Sequence, residues 1–316
     1  MHGLIFMGTP EFAVPALAAL GDGPLPIAAV YTQPDRPAGR GQKLTPSHIK
    51  AWALAHGLPV FQPPSLRAPA AVEEMRALAP EIIVVAAYGK LLPDSILAIP
   101  LKTVLNLHPS LLPRYRGASP IAFPILNGDQ VTGVTIMQVD SGVDSGPILA
   151  QRRVTIGPRD TAGTLGTTLA ETGAELLRET LGRWLHGEIV PSPQNESQAT
   201  VTKRLEKEDG GIDWRAPAVD IERRIRAFTP WPGCYTKWRA ATLRILEADL
   251  PPADSQSASA AGLPVGSVAP LRGGAAVMTG DGLLQIVQLQ PEGRQKMTAR
   301  EFLASRRDFV GSVLPS

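Results

Sequence analysis

The run Glu81-Ile82-Ile83-Val84-Val85-Ala86-Ala87 constrains the fold more than any other segment. It has no polar alternation, so both of its faces must be covered by other parts of the chain. A strand of that kind belongs inside a parallel sheet flanked by helices. Its neighbours fit the same plan. Leu4 to Met7, Ile27 to Thr32, Thr103 to His108, Val134 to Val139 and Ile148 to Ile156 read as further strands, and Val60-Phe61 as a short one. Gly8-Thr9-Pro10-Glu11 follows the first strand, with Thr9 placed to cap a helix and Pro10 to open it. Thr161 to His186 reads as one long helix, with Leu165, Leu169, Leu176, Leu177, Leu181 and Leu185 along a stripe. Strands alternating with helices predict a doubly wound α/β domain with a parallel-rich sheet over residues 1–188.

The pattern then changes. Residues 189–205 are polar and punctuated by Pro191 and Pro193, which predicts a linker. Residues 206–316 carry one short helix, Val219 to Phe228, and a series of β-like pieces: Cys234 to Trp238, Thr242 to Glu247, Gly266 to Ala269, Ala275 to Met278 and Leu283 to Leu289. Gly280-Asp281-Gly282 is a hairpin signal. Thr298-Ala299-Arg300-Glu301 is a capping box that opens a last helix. Residues 251–262 read as a mobile loop. A small β-barrel with attached helices is expected over 206–316.

Several function classes are excluded by composition. A single cysteine, Cys234, allows neither an intramolecular disulfide nor a cysteine zinc cluster. No His, Cys and Asp residues stand at metal-ligand spacing, so no catalytic metal is expected. The apolar runs are too short to span a bilayer, so no membrane partner is expected. The first strand begins at Leu4, leaving no room for a leader, and the cytoplasm is the expected compartment. Net charge is +2, so any RNA binding must come from local patches. Gly8-Thr9-Pro10 is neither a dinucleotide fingerprint nor a P-loop, which argues against a nicotinamide oxidoreductase.

Four stretches could carry chemistry. Asn106 and His108 lie two apart on a strand, so they share a face at its carboxyl end, where open α/β sheets bind ligands. Pro109 and Pro113 bracket a rigid loop beyond them. Asp140 and Asp144 follow the next strand. They read either as turn residues or as a carboxylate that orients His108 and raises its pKa, and spacing does not choose between them. The segment Thr32 to Leu44 holds Arg36, Arg40 and Lys43 in a Pro/Gly-rich loop, either solvated or reading phosphates. In the second half Lys203, Arg204, Lys207, Arg223, Arg224 and Arg226 lie near Trp231. They form either a solvated face or the basic flank of an RNA-gripping domain.

Taken in order, these stretches resemble the methionyl-tRNA formyltransferase family over nearly the whole chain. The residues that carry the resemblance are Gly8-Thr9-Pro10, Gln33 to Gly41, Val85-Ala86-Ala87-Tyr88-Gly89, Asn106-Leu107-His108, Ser110-Leu111-Leu112-Pro113-Arg114, Gly133 to Met137, Asp140 with Gly142 to Gly146, and Arg226 to Gly233. The resemblance implies a Rossmann-like formyltransferase domain followed by an OB-like barrel. It implies Asn106, His108 and Asp144 as the catalytic set. It assigns Ser110, Leu111, Leu112 and Pro113 to the folate site, with the Tyr88 region at its pterin end, and makes the Arg40 loop a tRNA-contacting insertion. Arg36, Arg40, Lys43, Lys203, Lys207 and Arg223 are the tRNA-binding candidates. The implied formyl donor is 10-formyltetrahydrofolate, the acceptor is initiator methionyl-tRNA, and the implied state is a monomer. Pro109, where some relatives carry Gly, stiffens the loop without removing a catalytic atom. On this reading Asn106 and His108 both donate to the oxyanion of the tetrahedral intermediate, and Asp144 holds His108 and helps move the proton. The rivals are a relative acting on another acceptor, such as glycinamide ribonucleotide, an amino-sugar nucleotide or water, and a non-enzymatic RNA-binding module that needs no folate.

Overall fold

A computed structural model describes residues 3–38, 43–252, 262–271 and 274–315. Arg40 and most of the expected 251–262 loop lie outside the described residues. The chain divides into two compact units. The first comprises Met1–Pro120, Val131–Thr155 and Gly166–Lys203, the second Ile121–Gln130, Ile156–Leu165 and Arg204–Ser316.

Strands of the first unit are β1 (Leu4–Gly8), β2 (Ile27–Tyr31), β3 (Arg36–Ala38), β4 (Lys43–Thr45), β5 (Val60–Phe61), β6 (Ile82–Ala86), β7 (Thr103–His108), β8 (Arg116–Gly117), β9 (Val131–Gln138), β10 (Ile148–Thr155) and β11 (Val201–Thr202). Seven of them form one sheet in the order β10-β9-β7-β6-β1-β2-β5. The run from β7 to β5 is parallel, and β9 is antiparallel to both β7 and β10. As its unbroken apolar run requires, β6 sits inside the sheet with every residue buried.

Its helices are α1 (Val14–Gly21), α2 (His48–Ala55), α3 (Pro69–Ala77), α4 (Asp94–Leu97) and, from Gly166 onward, α6 (Ala162–Leu185), while α5 (Ala122–Leu126) lies in the second unit. On one side of the sheet Ile5, Met7, Tyr31, Ile83 and Val85 pack with Val72 and Met75 of α3 and Ile96 of α4. Burying each such side chain contributes roughly 1.5–3 kcal/mol. α6 approaches β7 through Gly173, where an added Cβ would lie 2.7 Å from the Leu107 side chain. Leu107 lies between Asn106 and His108, so this close packing sets the depth of the strand that carries both.

Two local expectations change. Thr9 does not cap a helix. Pro10 takes the cap position of a 3-10 turn at Glu11–Ala13 without a side-chain bond. The Thr9 hydroxyl instead donates to the Tyr88 carbonyl at 3.0 Å, tying the end of β1 to the turn after β6. Part of the Thr32–Leu44 stretch is a ribbon, with Arg36 opposite Thr45 and Pro37 opposite Leu44. Directly opposed and alternate residues share a ribbon face, so Arg36 and Lys43 project together.

The second unit is built on β12 (Cys234–Trp238), β13 (Ala241–Asp249), β14 (Val268–Leu271), β15 (Gly274–Met278), β16 (Leu283–Pro291) and β17 (Met297–Thr298), with α7 (Ala218–Ala227) and α8 (Ala299–Ser305). Its antiparallel sheet runs β12-β13-β16-β15-β14, with β17 on β16. Gly280-Asp281-Gly282 turns the β15–β16 hairpin, and Gly282 has φ 84°, which a glycine adopts without strain. Thr298 and Glu301 form the capping box of α8. Trp238, Phe302 and Phe309 meet edge to face in the interior, with ring centroids 5.2–5.4 Å apart. Among the described residues no helix is long and apolar enough to cross a membrane.

Candidate active site

β7 ends at His108, beside β6, whose Val85 is level with Asn106. The carboxyl ends of β1, β2, β6 and β7 therefore open on one edge of the sheet. A cavity of about 400 Å³ lies there, lined by Thr9, Pro10, Gln33, Arg36, Ser47 and the Ala87–Gly89 turn. The Tyr88 ring itself belongs to the core, 1% exposed, and burial pushes its phenol up to about 12. Tyr88 thus belongs to the sheet interior, and its exposed neighbours Ala87 and Gly89 are the residues of the turn that reach the surface at the cavity.

Asp144 is the hub of the candidate trio. Asn106 Nδ2 donates to Asp144 Oδ1 at 3.4 Å. The backbone N–H of Gly117 donates to Asp144 Oδ2 at 2.8 Å. His108 Nδ1 lies 3.6 Å from the same oxygen, beyond direct hydrogen-bond length. Asp144 has φ 49°, in the left-handed region that costs most non-glycine residues conformational energy. Asp140 plays the other role. Its carboxylate accepts from the Gly142 N–H at 3.0 Å and the Ser145 hydroxyl at 2.9 Å, closing its own turn. The turn reading thus applies to Asp140, and Asp144 is the carboxylate that faces His108.

The buried His108 ring hydrogen-bonds through Nε2 and turns Nδ1 toward the Asp144 carboxylate. Nε2 lies 3.0 Å from the Tyr115 carbonyl oxygen. A carbonyl only accepts, so Nε2 carries the hydrogen and the neutral ring has its lone pair at Nδ1. Burial pushes the imidazole below its usual value of 6.5, and the Asp144 carboxylate and Tyr115 carbonyl oppose that shift without reversing it. A carboxylate beside an imidazole by itself raises its pKa, the direction expected from the sequence. Desolvation of a ring only 4% exposed outweighs it.

The Ser110–Pro113 loop is held from below. Thr135 on β9 donates its hydroxyl to the Ser110 carbonyl at 2.6 Å and accepts from the Leu112 N–H at 3.2 Å. Gln151 on β10 donates to the Leu112 carbonyl at 2.9 Å. Ser110 is fully buried, its hydroxyl donating to the Arg114 carbonyl at 2.6 Å. Leu112 is also buried, so Leu111 and Pro113, half-exposed, are the two side chains of this loop that a ligand can touch.

The cationic candidates sort differently. Arg36 and Lys43 are exposed on their ribbon, while Asp35, the one acid in the sequence from Thr32 to Leu44, is engaged by Lys50 at 2.6 Å and by Gln62 at 2.8 Å. Lys203 and Lys207 are exposed in their respective units. Arg223 is half-buried, its guanidinium lying over Gly128, and Arg226 is held by Glu222 and the Asp160 carbonyl. The Tyr115 carbonyl, the Gly117 N–H and the side chains of Arg116 and Gln194 were not singled out from sequence. Backbone groups leave no trace in residue identity, and Gln194 lies 50 residues from the loop it contacts.

Residues 2–181 match the family described as "Formyl transferase", and residues 204–307 match "Formyl transferase, C-terminal domain". The chain is 51% identical to the methionyl-tRNA formyltransferase of Chloroflexus aggregans (strain MD-66 / DSM 9485), over 95% of this chain and 96% of that one. It is 48% identical to that of Roseiflexus sp. (strain RS-1), over 98% and 94%. Among solved structures, an N-formyltransferase from Helicobacter canadensis in complex with folinic acid and dTDP-3-aminofucose superposes with TM-score 0.68 at 20% identity, over 94% of this chain and all of that one. HypX from Aquifex aeolicus superposes with TM-score 0.62 at 17% identity, and this chain spans 49% of its length. At such identities the structural likeness establishes the fold.

Proposed function

The chain belongs to the methionyl-tRNA formyltransferase family, and we propose that it transfers the formyl group of 10-formyltetrahydrofolate to the α-amine of initiator methionyl-tRNA, using Asn106, His108 and Asp144. The observation that carries this reading is the Asp144 carboxylate, which reaches Asn106 with one oxygen and both Gly117 N–H and His108 with the other.

The amine is already a nucleophile when neutral, so no covalent enzyme intermediate is required. As the new C–N bond forms, the formyl oxygen gains negative charge and the amine nitrogen must lose a proton. The Asn106 amide is the donor to that oxygen; losing one such donor typically costs about 100- to 1000-fold in rate. His108 acts as the base. Its Nε2–H is committed to Tyr115, its Nδ1 lone pair is free of hydrogen, and burial keeps the ring neutral at working pH. A proton gained at Nδ1 is stabilised by the Asp144 carboxylate beside it, then passed to the departing folate nitrogen. This assigns His108 proton transfer in place of the oxyanion donation expected from sequence. Leu111 and Pro113 would touch the folate, with the 87–89 turn offering backbone. Arg36, Lys43 and Arg40 are candidates for the tRNA acceptor end, and Lys203, Lys207 and Arg223 for its flank. We further infer a monomer working in the cytoplasm.

The test is a formyl-transfer assay that compares charged initiator tRNA, charged elongator tRNA, glycinamide ribonucleotide and buffer alone as acceptors. Formylation confined to the initiator species is the expected result. Transfer to another acceptor, or hydrolysis alone, would reassign the second unit and the β3–β4 ribbon to a different substrate.

A further inference from the structure

The segment between α6 and residue 203, which reads as a linker in the sequence, is bonded back onto the loops that carry the catalytic set. Ser192 bridges Ile148, and β11 pairs in parallel with β8, Val201 against Arg116 and Thr202 against Gly117. The Thr200 hydroxyl accepts from the Tyr115 N–H at 2.8 Å, and the Arg116 N–H donates to the Thr200 carbonyl at 2.9 Å. The same short strand thus supports Tyr115, whose carbonyl sets the His108 tautomer, and Gly117, whose N–H holds Asp144.

Within this segment Gln194 is the residue that reaches Asp144. Its amide nitrogen donates both hydrogens, one to the Asp144 carbonyl and one to the Gly146 carbonyl, each at 2.8 Å. Its amide oxygen accepts from Arg116 Nε at 3.1 Å and Nη2 at 2.8 Å. Arg116 is buried and is gripped on its other edge by both oxygens of Glu196, at 2.9 and 2.6 Å. The contacts close a ring: Asp144 backbone to Gln194, Gln194 to Arg116, and Gly117, the residue after Arg116, back to the Asp144 carboxylate.

The left-handed backbone of Asp144 explains why such a ring is needed. That conformation is disfavoured for a residue with a side chain, though aspartate tolerates it better than most, and a shift of the Asp144 backbone out of it would swing the carboxylate away from Asn106 and His108. The Gly117 N–H holds only the far end of the side chain. The two bonds from Gln194 hold the backbone from which the side chain projects. We propose that Gln194 is a positioning residue for formyl transfer, fixing the Asp144 backbone so that its carboxylate faces His108 and Asn106. The inference rests on the reading of Asp144 as catalytic.

Gln194→Glu separates positioning from mere bracing. It keeps an oxygen for Arg116 and turns the group facing the two carbonyls from a donor into an acceptor. Gln194→Met, of equal length, removes both sets of bonds. Each would be made in the parent and in Asp144→Asn, and kcat and KM measured for both substrates. Both substitutions should lower kcat by about 10- to 100-fold, the scale of an approximately 1 Å misplacement, with KM within about two-fold. In the Asp144→Asn background either should lower kcat by less than about two-fold, because the residue being positioned no longer acts. Parental kcat in Gln194→Glu, an equal loss in both backgrounds, or a loss carried by KM would each overturn the inference. Asp144→Asn at parental kcat would overturn the reading of the site, and this inference with it. An impaired Asp144→Asn beside an unimpaired Gln194→Glu would overturn this inference alone.

Discussion

Gly117→Ala is the sharpest single test of how the site is held. Gly117 has φ 99°, and a Cβ built on it would lie 2.7 Å from the Thr202 carbonyl oxygen on β11. Keeping that backbone with an alanine costs about 1–3 kcal/mol in conformation, and forcing a methyl against a main-chain oxygen costs about 1–3 kcal/mol more. The cheaper course is for the β8–β11 pair to part. That withdraws the Gly117 N–H from Asp144 Oδ2, a bond to a charged group worth about 1.5–3 kcal/mol. The expected net loss of stability is about 2–3 kcal/mol, or about 4–12 °C in the thermal midpoint of a unit this size. With its backbone donor gone, the carboxylate drifts by an amount comparable to the 1 Å displacement that costs about 100-fold in rate. Calorimetry and steady-state formylation of initiator methionyl-tRNA would be run on the same preparation. A parental kcat at a lowered midpoint would show that Asp144 does not depend on Gly117. A parental midpoint would show that the β8–β11 contact is not as tight as the geometry requires.

Three further outcomes follow from the same structure. With the neutral His108 ring proposed as the base and burial holding its pKa below 6.5, kcat/KM should fall only as pH drops below 6.5, through that lowered value. Since Asp144 opposes the shift, Asp144→Asn should move this acid limb to still lower pH in a pH–rate profile, and an upward move would refute the assignment. Linkage gives the matching sign for stability: a depressed native pKa means support that is present above 6.5 and lost as pH falls through the folded value. Cys234 is 1% exposed and burial pushes its thiol up to about 12, so a thiol reagent should label it only after unfolding; rapid labelling of the folded protein would contradict the packing of β12. Replacing Arg36 and Lys43 together by Ala should weaken tRNA binding and reduce its log–log salt slope by about 0.7–0.9 for each phosphate no longer neutralised, with folate affinity unchanged. An unchanged slope in a binding titration would remove the ribbon from the tRNA site.

How far the sequence reveals this molecule depends on how local each feature is. Glu81 to Ala87 predicts a buried parallel strand because its apolar run admits no wet face. The long leucine stripe places α6 to within a residue at either end, Ala162–Leu185 against an expected Thr161 to His186. Gly280-Asp281-Gly282 and the Thr298 capping box are equally local and equally readable. α2 and α3 gave no comparable signal, since their eight and nine residues bury faces rich in alanine with little contrast. Thr9 resembles a helix cap, yet its hydroxyl is taken by a carbonyl 79 residues away. Asn106 and His108 were readable because strand periodicity puts both on one side. Their supports were not, because they are a carbonyl at Tyr115, an N–H at Gly117 and a glutamine in a polar stretch. The direction of the His108 shift followed the same division: a nearby carboxylate can be guessed from sequence, and depth of burial cannot.

The pairing of β8 with β11 also sets an order of assembly. Every strand of the seven-stranded sheet has been synthesised once Thr155 has emerged, but the partners of Arg116, Gly117 and the Asp144 backbone lie at 194–202, beyond the whole of α6. Contacts of such long range form late, after the local and sheet contacts that bring them together. A nascent chain halted near residue 186 would therefore hold a nearly finished sheet and an unfinished reaction centre. On the proposed reading of the site, competence for formyl transfer is the last property the first unit acquires, conferred by nine residues, 194–202, that lie outside the matched segment 2–181.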